Sequence, residues 1–345
     1  MNTILKIQTG VEWTGDRLYY IDQTRIPLEV IREEVGSLEA AEEAIVSLKV
    51  RGAPAIATFA SFALVLSLQK DSSAGLPLGD FRRSALKNLA RLISTRPTAV
   101  NLSHAMQRMR QVIEDPAVSS CDILLELLQR KAEEIQQEDK DLCASLGRLG
   151  NELIGANARI MTHCNTGALA TAGIGTAIGA FYTAHGANKN ISVFACETRP
   201  LLQGSRLTSW ELDRAGIRTV LITDNMAAHI MRDEKIDLVM VGADRIARNG
   251  DTANKIGTLG LAILAKYYDI PFYVVAPSTS VDPSIGSGSE IEIEERNPEE
   301  VRRFRAEQAS PPGIPVRNPA FDVTPGQLIS AIVTENGIHR PPYSF

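Results

Sequence analysis

The chain has 345 residues, enough for two domains with cores of their own, and its 44% apolar and 22% charged composition is that of an ordinary soluble globular protein. A net charge of −5 gives no reason to expect a nucleic-acid partner or an anionic membrane surface, and no apolar run approaches the length of a membrane span. The four cysteines (Cys121, Cys143, Cys164, Cys196) form no C-x-x-C pair, and the five histidines show no zinc-ligand spacing. With no long apolar core in Met1–Ile7, the reading is a cytoplasmic protein with reduced thiols.

Val11 to Pro27 alternates apolar and polar residues around Thr14-Gly15-Asp16, which predicts an antiparallel hairpin with Trp13 and Tyr19 on one face. Ser37 is the expected N-cap of a helix whose apolar stripe is Leu38, Ala41, Ile45 and Leu48. Arg51-Gly52-Ala53-Pro54 breaks the pattern before a very apolar helix over 55–68. Gly52 permits close backbone approach, free amides at a helix start attract anions, and Arg51 adds charge-assisted hydrogen bonds, so this corner reads either as an anion site or as a plain helix break. A loop over 70–80 and a helix over 81–94 follow, and Pro97 fixes Arg96 on a rigid turn. Helices are expected over 101–115 and from 122 to about 147, carrying Cys143, with Cys121 at the start of the second.

Beyond about Gly150 the rhythm becomes strand, loop, helix. Short apolar strands end at Thr162, Ala195, Ile222, Val241 and Val275, and each runs into a polar loop: His163-Cys164-Asn165-Thr166-Gly167, then Cys196-Glu197-Thr198-Arg199-Pro200, Thr223-Asp224-Asn225, Gly242-Ala243-Asp244, and Ala276-Pro277. Five such repeats predict an α/β fold with a Rossmann-like, doubly wound parallel sheet over 148–345, after a domain of small antiparallel sheet plus helices over 1–147. No G-x-G-x-x-G or P-loop appears, so neither a dinucleotide nor a nucleoside triphosphate is implied. Residues 290–295 alternate like an exposed edge strand, and 326–336 looks like a closing helix.

Ligands of open α/β sheets sit outside the carboxyl ends of the strands. Cys164, Glu197, Arg199, Asp224, Asp244, Asn254 and Lys255 are therefore candidate neighbours despite their separation in sequence. The long polar stretch 242–258 is the densest of these loops. A cysteine and an aspartate at one cleft can exchange protons with substrate if burial tunes them. Cys196 competes with Cys164 for the role and Asp224 with Asp244, and pattern does not rank them. From the residues alone, the reading is a two-domain α/β protein that binds a small, phosphorylated anion.

Taken together and in order, Arg51-Gly52-Ala53-Pro54-Ala55-Ile56, His163-Cys164-Asn165-Thr166-Gly167, Glu197-Thr198-Arg199-Pro200 with Gln203-Gly204, and Gly242-Ala243-Asp244 through Asn254-Lys255-Ile256-Gly257-Thr258 resemble the methylthioribose-1-phosphate isomerase family of methionine salvage. That family shares a superfamily with ribose-1,5-bisphosphate isomerase and the regulatory subunits of the exchange factor for translation initiation factor two. The resemblance implies an aldose–ketose isomerase acting on 5-methylthioribose 1-phosphate, with Asp244 as proton donor and Cys164 as the second catalytic residue. It implies substrate binding by Arg51, Gly52, Ala53, Arg96, Gln203, Asn254 and Lys255. With Arg51 and Arg96 in the N-terminal domain and the catalytic pair in the C-terminal one, a cleft between the domains is expected. It also implies a homodimer that needs no cofactor or metal and has a small sugar phosphate as its partner.

Overall fold

The computed structural model describes residues 7–72, 75–97 and 99–345. The chain divides into two compact units: Gln8–Leu142 with Ala168–Ile174, and Cys143–Gly167 with Gly175–Phe345.

In the first unit, β1 (Val11–Trp13), β2 (Leu18–Ile21) and β3 (Arg32–Glu34) form an antiparallel sheet. Leu18 lies opposite Trp13 and Tyr19 opposite Glu12. Successive strand residues point to opposite faces, so Tyr19 is on the other side from Trp13, contrary to the sequence expectation. Trp13 stacks on Phe62 at 4.9 Å between ring centroids, whereas Tyr19 carries the Arg32 guanidinium on its face. Ser37 caps α1 (Leu38–Val46) by accepting the Ala40 N–H. Leu38, Ala41 and Ile45 are buried, but Leu48 lies beyond the helix in a left-handed turn with φ 62° and is only half-buried.

The central helix is α2 (Ala53–Ser72), apolar on all sides because it is enclosed on all sides. It packs on α1, α3 (Leu78–Ser94) and α4 (Val100–Glu114), and Phe59, Phe62, Leu64 and Leu68 are fully buried. The expected 70–80 loop is thereby shortened at both ends, and residues 73 and 74 lie outside the described residues. Helix α5 (Cys121–Glu152) is the longest. No described helix is long and apolar enough to cross a membrane.

The second unit is built on β4 (Arg159–Thr162), β5 (Ser192–Cys196), β6 (Arg218–Ile222), β7 (Leu238–Val241) and β10 (Phe272–Val275), with α6 (Ala177–Gly186), α7 (Ser209–Arg214), α8 (Ala227–Asp233) and α9 (Thr258–Tyr267) between them. A sixth parallel strand was not expected. Residues 331–334 are β15 (Ala331–Thr334), paired parallel to β10, and they turn into an antiparallel edge strand β16 (Gly337–His339). The closing helix expected there is only a single turn over Gly326–Leu328. Ile332, Val333 and Thr334 are β-branched and buried, which suits the interior of a sheet.

The order β16-β15-β10-β7-β4-β5-β6, counted by parallel strands in chain order, is 3-2-1-4-5-6, the doubly wound arrangement. Its direction reverses between β4 and β7.

The 242–258 stretch is more ordered than a loop. It contains β8 (Arg245–Ala247) and β9 (Thr252–Lys255), which with β11 (Val281–Asp282) and β14 (Phe321–Thr324) form a second sheet. A small hairpin, β12 (Arg303–Phe304) with β13 (Glu307–Gln308), lies between. Residues 290–295 do not form the expected edge strand. Only Glu295 makes a single bridge, to Pro319, and the acids are drawn instead into a cap at Ser287 and ion pairs with Arg296 and Arg317.

Candidate active site

Cys164 is the second residue after β4 and Asp244 the third after β7, and these strands are hydrogen-bonded neighbours. The two residues thus flank the reversal point of the sheet, on its carboxyl edge, where doubly wound folds leave a crevice for ligands. Cys164 is buried and held at φ 62°, a conformation costly for a side-chain-bearing residue. Its backbone is clamped from both sides: its N–H donates to Thr198 Oγ1 at 2.8 Å, and its carbonyl accepts from Thr208 Oγ1 at 2.5 Å. Asp244 is exposed, and its N–H donates to the Ala253 carbonyl at 2.9 Å, which ties it to β9.

Thr198 has φ 67° and is fixed by Asp224. The Asp224 carboxylate accepts the Thr198 N–H at 2.8 Å and the Arg199 N–H at 2.7 Å. Asp224 is therefore a brace for the loop after β5, which in turn holds Cys164. The guanidinium of Arg199 is spent on the carbonyls of Pro200, Val301 and Arg303, and Arg245 faces Asp282 at 3.9 Å. Cys196 is fully buried, and burial pushes its thiol far above the usual range, so it is inert as an acid–base group. Cys121 and Cys143 lie in α5, as expected.

Behind Cys164 runs a buried polar chain. Asn165 Nδ2 donates to Glu211 Oε1 at 2.8 Å, and Tyr182 Oη donates to Glu211 Oε2 at 2.9 Å. Burial and the Glu211 carboxylate both drive the Tyr182 phenol well above its ordinary range, so it stays a donor. A Cβ at position 167 would sit 2.1 Å from Glu211 Oε2, which is why that position is glycine. Nothing in the sequence pattern marked Glu211 or Thr208, and Thr198 stood in its motif without a role of its own. They lie on different elements from the cysteine they support.

Gln203 is buried, and its Oε1 finds no donor among the described residues. Gly204 follows because a Cβ there would stand 1.7 Å from the Cys196 carbonyl oxygen. Asn254, on β9, is buried and donates to Thr258 Oγ1 at 3.1 Å, and Lys255 places its ammonium 4.4 Å from the Phe321 ring centroid. Asp322 accepts the N–H groups of Gly257 and Leu259, capping α9, and burial raises its carboxyl above the ordinary range against the pull of those amides.

In the other unit, Arg51 Nε donates to Gln23 Oε1 at 3.1 Å, and Gln23 Nε2 donates to the Leu169 carbonyl at 2.8 Å. Gly52 has φ 94°, and a Cβ there would lie 2.5 Å from the Ala170 oxygen, so only glycine fits. Ala53 opens α2, and Arg96 is half-buried on the turn after α3.

A strained, clamped cysteine and an aspartate at the switch point of a doubly wound sheet, with the buried Gln203 amide oxygen after β5, mark an α/β fold with a small-molecule crevice. Residues 49–341 match the initiation factor 2 subunit family. The methylthioribose-1-phosphate isomerase of Heliobacterium modesticaldum is 50% identical over 96% of both chains, and that of Bacillus pumilus is 46% identical over 100% of this chain and 96% of its own. The crystal structure of 5-methylthioribose 1-phosphate isomerase from Pyrococcus horikoshii has a TM-score of 0.92 at 40% identity, covering 98% of this chain and 94% of that one. The crystal structure of translation initiation factor eIF-2B, subunit delta, from A. fulgidus has a TM-score of 0.87 at 38% identity, covering 97% and 96%. The chain belongs to the initiation factor 2 subunit family and, within it, to the methylthioribose-1-phosphate isomerases.

Proposed function

We propose that this protein converts 5-methylthioribose 1-phosphate into 5-methylthioribulose 1-phosphate, with Asp244 as general acid and Cys164 as the second catalytic residue. The observation that carries this is identity of 46–50% along essentially the whole chain to relatives bearing that name.

The anomeric oxygen of this substrate carries phosphate, so the ring cannot open as a free hemiacetal. An acid must protonate the ring oxygen while the bond to the anomeric carbon breaks. Asp244 is exposed in the structure, so the apolar cover that keeps a carboxyl protonated has to arrive with the substrate. A hydrogen then moves from the neighbouring carbon to the anomeric one. Cys164 either relays it as a proton or lines the path of a hydride. Its fixed backbone sets the direction of the Cα–Cβ bond in either case, leaving χ1 alone to aim the thiol.

Arg51, Arg96 and the backbone at Gly52 and Ala53 would hold the phosphate. The unpartnered Gln203 Oε1 would accept a sugar hydroxyl, and Asn254 and Lys255 would orient the others. We place the protein in the cytoplasm as a homodimer, with no metal or cofactor required by this reaction.

The test is phosphorus and proton NMR of purified protein with 5-methylthioribose 1-phosphate beside ribose 1,5-bisphosphate. Ketose phosphate from the first alone supports the reading, and turnover of the second alone refutes it. The likeness to the A. fulgidus initiation-factor subunit motivates a second reading, a non-catalytic scaffold. Activity on neither sugar by folded protein would favour it. Cys164→Ser and Asp244→Asn should each abolish turnover with the fold intact; a wild-type rate in either overturns that residue's role.

A further inference from the structure

The ends of β4, β5 and β6, three adjacent parallel strands, bring together a histidine, a cysteine and an aspartate that the isomerisation does not consume. The ligating atoms of His163, Cys196 and Asp224 all lie within 4.8 Å of one another. His163 is 2% exposed, and its Nε2 lies 2.8 Å from the Ile256 carbonyl oxygen. A carbonyl only accepts, so Nε2 carries the hydrogen and Nδ1 carries a bare lone pair. That Nδ1 is buried with no hydrogen-bond partner among the described residues, 3.8 Å from Asp224 Oδ1. Two acceptor atoms thus face each other with only the Cys196 thiol beside them, and no hydrogen bond from it to Nδ1. The ring edge between the two nitrogens is constrained as well, since a Cβ at Gly257 would stand 3.0 Å from His163 Cε1.

A ring N–H anchored to a backbone carbonyl, with the other nitrogen aimed at a thiol and a carboxylate, is the way proteins orient a metal-binding histidine. We propose that His163 Nδ1, Cys196 Sγ and the Asp224 carboxylate form a site for a thiophilic divalent cation of the Zn²⁺ class. Tetrahedral zinc with nitrogen, sulfur and oxygen ligands sets its donors about 3.4–3.6 Å apart, so the trio has roughly 1 Å to close by side-chain rotation. Binding converts the Cys196 thiol into a metal-bound thiolate and releases its proton to solvent. Asp224 is the one ligand with appreciable exposure, so water takes the fourth position from its side. The cation would tie together the three strand ends that carry Cys164, Thr198 and Asp224. Cysteine spacing could not show the site, because each ligand comes from a different strand.

Cobalt(II) is the probe. Chelator-stripped protein titrated with Co²⁺ should bind one equivalent per chain and develop tetrahedral visible bands with a thiolate-to-metal charge-transfer band. Zn²⁺ should bleach both. Cys196→Ala should lose the charge-transfer band and bind at least about tenfold more weakly. A variant with Cys121, Cys143 and Cys164 all changed to Ser keeps only Cys196 and should retain the band. Absence of a thiolate band in the wild type, its persistence in Cys196→Ala, or its loss from the triple variant would overturn the assignment. None of these readouts depends on isomerase activity.

Discussion

Replacing Asp139 with asparagine isolates the electrostatic cost of one half-buried carboxylate. Asp139 lies on α5 and accepts the Ala172 N–H at 2.6 Å, pinning the segment 168–174 that continues from the Cys164 turn. Burial pushes its carboxyl up to about 6 from 3.8, outweighing the amide that favours the charged form. The folded protein therefore prefers the protonated acid. Stability from this group is fully present below the unfolded value of 3.8 and is lost as pH rises through about 6. The shift corresponds to at most about 3 kcal/mol at neutral pH, and partial solvent access reduces the expected loss to about 1–2 kcal/mol. Asparagine keeps the accepting oxygen and never charges. Urea unfolding of both proteins from pH 4 to 8 should show near-equal stability at the acid end, with the asparagine variant gaining about 1–2 kcal/mol above pH 7. Parallel curves across that range, or a variant less stable at pH 7.5, would refute the reasoning.

Gln23→Leu removes the bridge between Arg51 Nε and the Leu169 carbonyl, so KM should rise by about tenfold with kcat less affected. Steady-state kinetics give the split, and an unchanged KM would show that Arg51 needs no such support. Arg51→Ala itself should weaken substrate binding by about 1.5–3 kcal/mol for each charge-assisted bond lost; a fall in kcat alone would place Arg51 in the transition state instead. Gly204→Ala puts a carbon 1.7 Å from the Cys196 oxygen, a backbone clash that no side-chain rotation relieves. It should lower Tm by several degrees and depress turnover, as read by thermal melts and an activity assay.

The sequence was enough for most of the framework and for the family. Period-2 and period-3.6 patterns marked the hairpin, the helices and five strand–loop units, because burial on one face leaves a regular trace. Motif order alone identified the family, since Arg51-Gly52-Ala53-Pro54, the cysteine turn and the Gly242–Thr258 stretch are local strings. The structure departs from the pattern where pairing, near or far, decides the outcome. The apolar spacing over 326–336 reads as a helix, but the β-branched Ile332-Val333-Thr334 pairs with β10 and is a strand. Alternation alone puts Tyr19 on the face of Trp13, whereas the residue count of the turn, set by the Thr14–Arg17 hydrogen bond, decides register and puts it on the other. Which strand-end acid braces the fold was likewise undetermined from pattern. Only the tertiary structure showed that Asp224 is committed to the Thr198 and Arg199 amides, while Asp244 stands beside Cys164's strand at the reversal of the sheet. A sequence records which residue types follow one another. Which strand lies beside which, and so which carboxylate meets which amide, is fixed by long-range pairing that no local string encodes.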